Sequence, residues 1–183
     1  MDGLGAGTIF RQTAYAGNRD GALAIIDEAR GLLPRSGEPN TAGSWLMLAL
    51  AIEGLVMLGE HSQAGELYPL VRELLDIGPV VLWPIFRFTH TIAGVAASAG
   101  RQWKVAEDHF QIAMQQAEAF PQRLEQTEIR RFHAMILIDR AARGDHEKAH
   151  TLLNEALESY AQIGMPRHVE MTQALLARLN TRD

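Results

Sequence analysis

The string His146-Glu147-Lys148-Ala149-His150 has the most obvious reactive potential in the chain. On a helix, two histidines four residues apart share one face and can hold a divalent metal, while the glutamate between them acts as base on a metal-bound water. Such a centre needs a third protein ligand. The candidate, Glu170, stands 24 residues beyond His146 on a separate predicted helix with no supporting motif. Ala149, moreover, occupies a position that recurs three times earlier, where the matching stretches DGALA, HSQAG and KVAED carry no histidine pair. The string therefore reads as a solvated helix start, and a zinc-dependent hydrolase at His146, Glu147 and His150 is a distant alternative.

The remaining reactive-looking strings are weaker. Gly3-Leu4-Gly5-Ala6-Gly7 lacks the strand before a phosphate loop and the Lys-Ser/Thr after it. Arg143-Gly144-Asp145 falls where the chain turns between helices. No serine sits in a G-x-S-x-G elbow, and the absence of cysteine removes thiol nucleophiles and thiolate ligands. His90 and His133 read as core or rim histidines; Trp45, Trp83, Trp103, Phe86, Phe88 and Phe132 read as packing residues. Arg123, Arg130, Arg131, His133, Arg140 and Arg143, interleaved with Glu125, Glu128 and Asp139, read as an exposed face laced with weak ion pairs one turn apart. The functional alternative for that cluster is an arginine-bearing rim that receives an acidic partner segment. No catalytic residue, metal or cofactor is expected, and the chain is not expected to be an enzyme.

Bulk properties narrow the field further. The 183 residues are 47% hydrophobic and 21% charged, which suits one globular domain over 1–183. With 17 basic and 22 acidic residues the net charge is -5, which excludes a broad nucleic-acid-binding surface, and no direct nucleic-acid contact is expected. The weakly charged stretch Ile77 to Phe86 is half the ~20 residues of a spanning helix and is broken by Pro79 and Pro84. The amino terminus, MDGLGAGTIFRQ, has neither the basic region nor the apolar run of a signal peptide. No membrane association is expected, and the cytoplasm is the default location.

The elements that carry these residues follow from a repeat. Ala22, Ala64, Ala106 and Ala149 lie 42, 42 and 43 residues apart, and each precedes by four positions a larger apolar residue: Ile26, Tyr68, Phe110 and Leu153. A glycine stands five or six residues before each alanine, at Gly17, Gly59, Gly100 and Gly144. The spacing predicts four helix-turn-helix units, roughly 1–34, 42–76, 84–119 and 122–162. First helices are expected over 6–16, 42–58, 84–99 and 122–143, and second helices over 19–33, 61–76, 102–119 and 145–162. Proline-bearing loops separate the units, and a closing helix covers 167–181. A small residue where two helices approach to about 8 to 10 Å, with a larger one a turn later on the same face, marks hairpins that must stack to hide their apolar sides.

This small-x-x-x-large pattern, clearest in GRQWKVAEDHFQIA (100–113) and GDHEKAHTLLNEAL (144–157), resembles the tetratricopeptide repeat, TPR, with a longer period than that family's about 34 residues. The stretch from Ala99 to Leu176 further resembles the carboxy-terminal repeat region of large bacterial ATPase regulators, either nucleotide-cyclase-linked or of the LuxR transcription-factor type. The resemblance implies an all-α, TPR-like right-handed superhelix of four helical hairpins plus a C-terminal capping helix. It also implies a non-catalytic protein-interaction or regulatory module, the C-terminal part of a larger signalling or transcriptional regulator. A small-ligand or peptide sensor is the alternative.

In such superhelices the first helices line a concave wall that receives a protein or peptide segment. Carried over residue by residue, the groove-facing positions fall on Arg11 in the first unit and on Leu46, Ala49, Glu53 and Val56 in the second. They continue on Phe88, Thr91, Val95 and Ser98 in the third, and on Arg131, Ala134, Ile138 and Ala141 in the fourth. Arg11, Glu53, Phe88, Thr91, Ser98, Arg131 and Ile138 are the expected partner contacts, with an amphipathic helix or extended peptide as guest. The closing helix, with Val169, Thr172, Leu175, Leu176 and Leu179 on one face, reads as a solubilising cap. At the other end Leu4, Ile9 and Phe10 read as an exposed surface through which a homodimer can form.

Overall fold

Helix starts and stops in this chain are set by residues that suit them. Asp2, Asn18 and Thr41 each precede a helix and accept a backbone N–H three residues on, from Gly5 at 2.7 Å, Gly21 at 3.1 Å and Ser44 at 3.1 Å. Gly17, Gly59 and Gly144 take left-handed φ angles of 80°, 80° and 85° in the turns before second helices. In the third such turn the left-handed residue is Arg101, φ 56°, while Gly100 has φ -80°.

In the computed structural model, which describes residues 2–181, the chain is almost wholly helical. In chain order come α1 (Gly3–Tyr15), α2 (Arg19–Ala29) with a 3-10 turn after it, α3 (Ala42–Met57), α4 (His61–Glu66) and α5 (Tyr68–Ile77). Then follow β1 (Val81–Leu82), β2 (Arg87–Phe88), α6 (Thr89–Ala99), α7 (Trp103–Ala119), α8 (Arg123–Arg140), α9 (Asp145–Ile163) and α10 (Pro166–Asn180). The four repeat alanines are each 0% exposed. Ala22, Ala64 and Ala106 are the fourth residue of their helices and Ala149 the fifth. Ile26, Tyr68, Phe110 and Leu153, four positions on, are buried too.

Two elements depart from the sequence reading. The helix expected to start at 84 starts at Thr89, because residues 81–88 form a small antiparallel hairpin with Val81 opposite Phe88 and Leu82 opposite Arg87. Pro79 and Pro84 deny this stretch a helical hydrogen-bond ladder. Thr89 is tied to it instead, its N–H donating to Val80 O at 3.0 Å and its hydroxyl to Pro79 O at 2.5 Å. The second helix of the second unit is broken into α4 and α5 at Leu67. Pro69 has no N–H to offer the carbonyl of Gly65, so the ladder cannot run through.

The chain forms two compact units, Met1–Ala106 and Glu107–Asp183. In the first, α1, α4, α5 and α6 all pack on α3, and every α3 residue from Leu46 to Val56 is buried. A helix apolar on all sides needs neighbours on all sides, and this one has them. Close approach is bought with glycine: a Cβ on Gly54 of α3 would lie 2.4 Å from Phe10 Cε1, and one on Gly65 of α4 would lie 2.7 Å from the Cα of Gly100.

In the second unit α8 and α9 run antiparallel, with Arg123 meeting Gln162 at one end and Arg140 meeting Asp145 at the other. α10 lies on α9 and reaches α8. Ala134, Leu137 and Ile138 of α8, Ala149 and Leu153 of α9 and Leu179 of α10 form its apolar core.

Candidate functional site

The H-E-x-x-H string lies in the first turns of α9. Glu147 and His150 are exposed, and the His150 ring Nδ1 is 3.0 Å from Asn154 Nδ2. Glu170 is on α10 and pairs with Arg167 at 3.1 Å. Among the described residues no three His, Asp or Glu side chains converge as a metal-holding group. The neighbouring carboxylate, Asp145, is fully engaged. It accepts from Arg140 Nε and Nη2 at 2.8 and 2.7 Å and from the Ala142 N–H at 2.8 Å. The Arg140 hydrogen bonds hold its carboxyl below the usual range although burial opposes this. Gly3 and Gly7 of the glycine-rich string are buried inside α1 against α3, and Arg143-Gly144 is a surface turn.

The arginine cluster of α8 is drawn inward or paired. Arg131 is completely buried: Nη2 donates to Glu128 Oε2 at 2.7 Å, Nε donates to the Tyr160 hydroxyl at 3.2 Å, and the guanidinium carbon sits 4.2 Å from the Phe132 ring centroid. Tyr160, from α9, donates to the other oxygen of Glu128 at 2.5 Å, and burial pushes its phenol well above the ordinary value. His168 of α10 places Nε2 3.4 Å from Glu128 Oε1. Arg130 pairs with Glu155 at 2.7 Å, and Arg140 bridges Asp145 and Glu107. His133 stacks on Phe110 with ring centroids 5.6 Å apart. Burial, helped by the charge of Lys148, pushes its imidazole down to about 4, against the pull of Glu107. Burial would raise the Glu107 carboxyl, but Arg140, Lys148 and His133 together hold it low.

The residues expected to line a partner groove are mostly inside. Glu53, Phe88, Thr91, Arg131 and Ile138 are buried, and only Arg11 and Ser98 keep partial exposure. Five of the seven expected contact positions thus offer little free surface. A helix surrounded on all sides, as α3 is, presents no wall. Arg11 and Glu53 are brought together, Nη1 to Oε2 at 3.6 Å, and Glu53 also accepts from Tyr15 at 2.6 Å and from Arg87 at 3.2 Å. The Ser98 hydroxyl donates to Val95 O at 2.7 Å within its own helix. At the amino-terminal end Phe10 is 0% exposed, so of Leu4, Ile9 and Phe10 only Ile9 is an exposed apolar side chain.

Two surface features escaped the sequence reading. Trp83 and Phe86, read as packing residues, stand at the tip of the β1–β2 hairpin, 70% and 47% exposed, with ring centroids 4.4 Å apart edge to face. Bracketing prolines in an uncharged run were the available signal for a protruding loop. The second is a cleft of about 360 Å³ between α8 and α9, lined by polar side chains that include Arg123, Arg130, Glu155 and Glu158. Thr127 and Ser159 hydroxyls meet there at 2.7 Å. Among the described residues no helix is long and apolar enough to cross a membrane. No family model matches the chain, and no curated protein or solved structure matches it.

Proposed function

We propose that the chain is a non-catalytic helical-repeat module, stacked as a TPR-like right-handed superhelix, that binds a protein or peptide segment on behalf of a larger bacterial signalling or transcriptional regulator. The observation that carries this reading is the repeat itself: four alanines with no exposed surface, at matching places in four helices, each followed a turn later by a buried larger residue. Hairpins built this way yield extended surface, and extended surface is what peptide-binding solenoids use. The charged groups that sequence spacing made attractive for chemistry are instead held in structural ion pairs, Arg131 with Glu128 and Arg140 with Asp145 among them.

The test is selection of a displayed peptide library on the immobilised full chain, followed by titration calorimetry with the synthetic consensus. Saturable one-to-one binding supports the reading. Failure of any sequence to enrich, together with saturable thermal stabilisation by a small metabolite, overturns it in favour of a ligand sensor. The polar α8–α9 cleft of about 360 Å³ is the observation on that second reading's side.

A further inference from the structure

In the second unit, α10 differs from the two helices it lies on. Ten residues of α8 are buried, five of α9, and of α10 only Thr172 and Leu179. Thr172 is polar, and its hydroxyl is used up on the carbonyl of His168 in its own helix, at 2.7 Å. Like α8 and α9, α10 starts without a side-chain cap, and it is reached through Gly164, which has φ 84°. Few buried apolar side chains place a helix among the first elements to open.

The seat of α10 has a definite chemistry. Its middle is apolar: Ala134, Leu137 and Ile138 of α8 and Leu153 of α9 meet Leu175, Leu176 and Leu179. Its two ends are polar, Asp139 at one and the Glu128–Arg131 pair at the other. Glu128 faces His168 at 3.4 Å, and Asp139, eleven residues further along α8, accepts from Arg178 at 2.5 Å. His168 and Arg178 are ten residues apart, so the helix and its seat match in length, with a charge pair at the Arg178 end.

We infer that the α8–α9 face beneath α10 is a docking surface for a helix from a partner protein, with an apolar stripe between a histidine and an arginine about three turns apart, and that α10 is its displaceable resident. The inference rests on the reading of the chain as a binder of partner segments. A partner helix of this kind competes with α10, so its apparent affinity is lowered by the fraction of time the seat is filled. Weakening the resident alone therefore tightens the binding of any helix with the same chemistry.

The test uses the full chain and a fluorescein-labelled synthetic peptide of residues 165–181 as the probe. Arg178→Glu sets the resident against Asp139; it is expected to speed hydrogen exchange in α10 while α8 and α9 stay protected, and to tighten peptide binding on the order of tenfold over the unsubstituted chain. Adding Asp139→Arg re-pairs the resident and repels the probe's own arginine, so binding is expected to fall back to the starting level. Arg178→Gln is the second variant should Arg178→Glu disturb α8 or α9, with a smaller gain in the same direction. The inference is overturned if α10 exchanges no faster in either variant, if it opens and the peptide binds no better, or if Asp139→Arg leaves the gain intact. Those results do not touch library selection on the unsubstituted chain, so the broader reading fails or survives separately.

Discussion

The two units bury very different central helices. In the first, α3 is surrounded and its buried face is apolar all round, with Glu53 the one charged exception between Leu46 and Val56. In the second, α8 buries Glu125, Thr127, Glu128 and Arg131 among its apolar residues. An apolar core is stabilised by area and fit and tolerates loss in proportion to the volume removed. A core holding a buried ion pair depends on both partners together, since either charge alone is stranded in a low-dielectric interior.

The sharpest way to break this contrast is to remove one charge. Arg131→Met leaves the Glu128 carboxylate buried without its guanidinium, and it is expected to destabilise the second unit by about 3 to 5 kcal/mol. Converting Glu128→Leu in the same chain is expected to recover most of that loss. Hydrogen exchange resolves the two units where a single unfolding midpoint does not. An Arg131→Met chain as protected as the parent would show that the pair carries no such interdependence.

Acid provides the next largest effect. The His133 imidazole is held at about 4, below its ordinary 6.5, so the folded second unit favours the neutral ring. The stabilisation is complete above pH 6.5 and is lost as pH falls from there through 4, by on the order of 3 kcal/mol. His133→Gln is expected to flatten that decline, as followed by urea midpoints across the window. His90 of α6 in the first unit is depressed in the same direction by burial, so the comparison is one of slope between chains, with His90 unchanged.

A smaller effect belongs to the apolar unit. Gly54→Ala drives a methyl to within 2.4 Å of the fully buried Phe10 ring, and about 1 to 3 kcal/mol of destabilisation is expected there, with no change in α8 to α10 exchange.

What was legible in the sequence and what was not divides along the same line. Helix positions were legible because their signals are local: Gly59 and Gly144 as turns, an alanine every 42 or 43 residues. The 81–88 hairpin was missed because prolines announce a break without specifying what fills it. Arg131 read as part of an exposed face because charged side chains are exposed by default. Its burial depends on Tyr160, which lies 29 residues away on another helix. Phe88, Thr91 and Ile138 were placed by the resemblance on a groove wall, yet sequence pattern cannot distinguish a helix face that lines a groove from one covered by a neighbour.

The claim beneath all of this is that Ala22, Ala64, Ala106 and Ala149 occupy equivalent, tightly packed spots. Substituting each in turn by leucine and measuring urea unfolding tests it most directly. Equivalence predicts a loss of about 1 to 3 kcal/mol at every one of the four, from overpacking. A neutral result at any of them, Ala106 above all, would contradict the shared register.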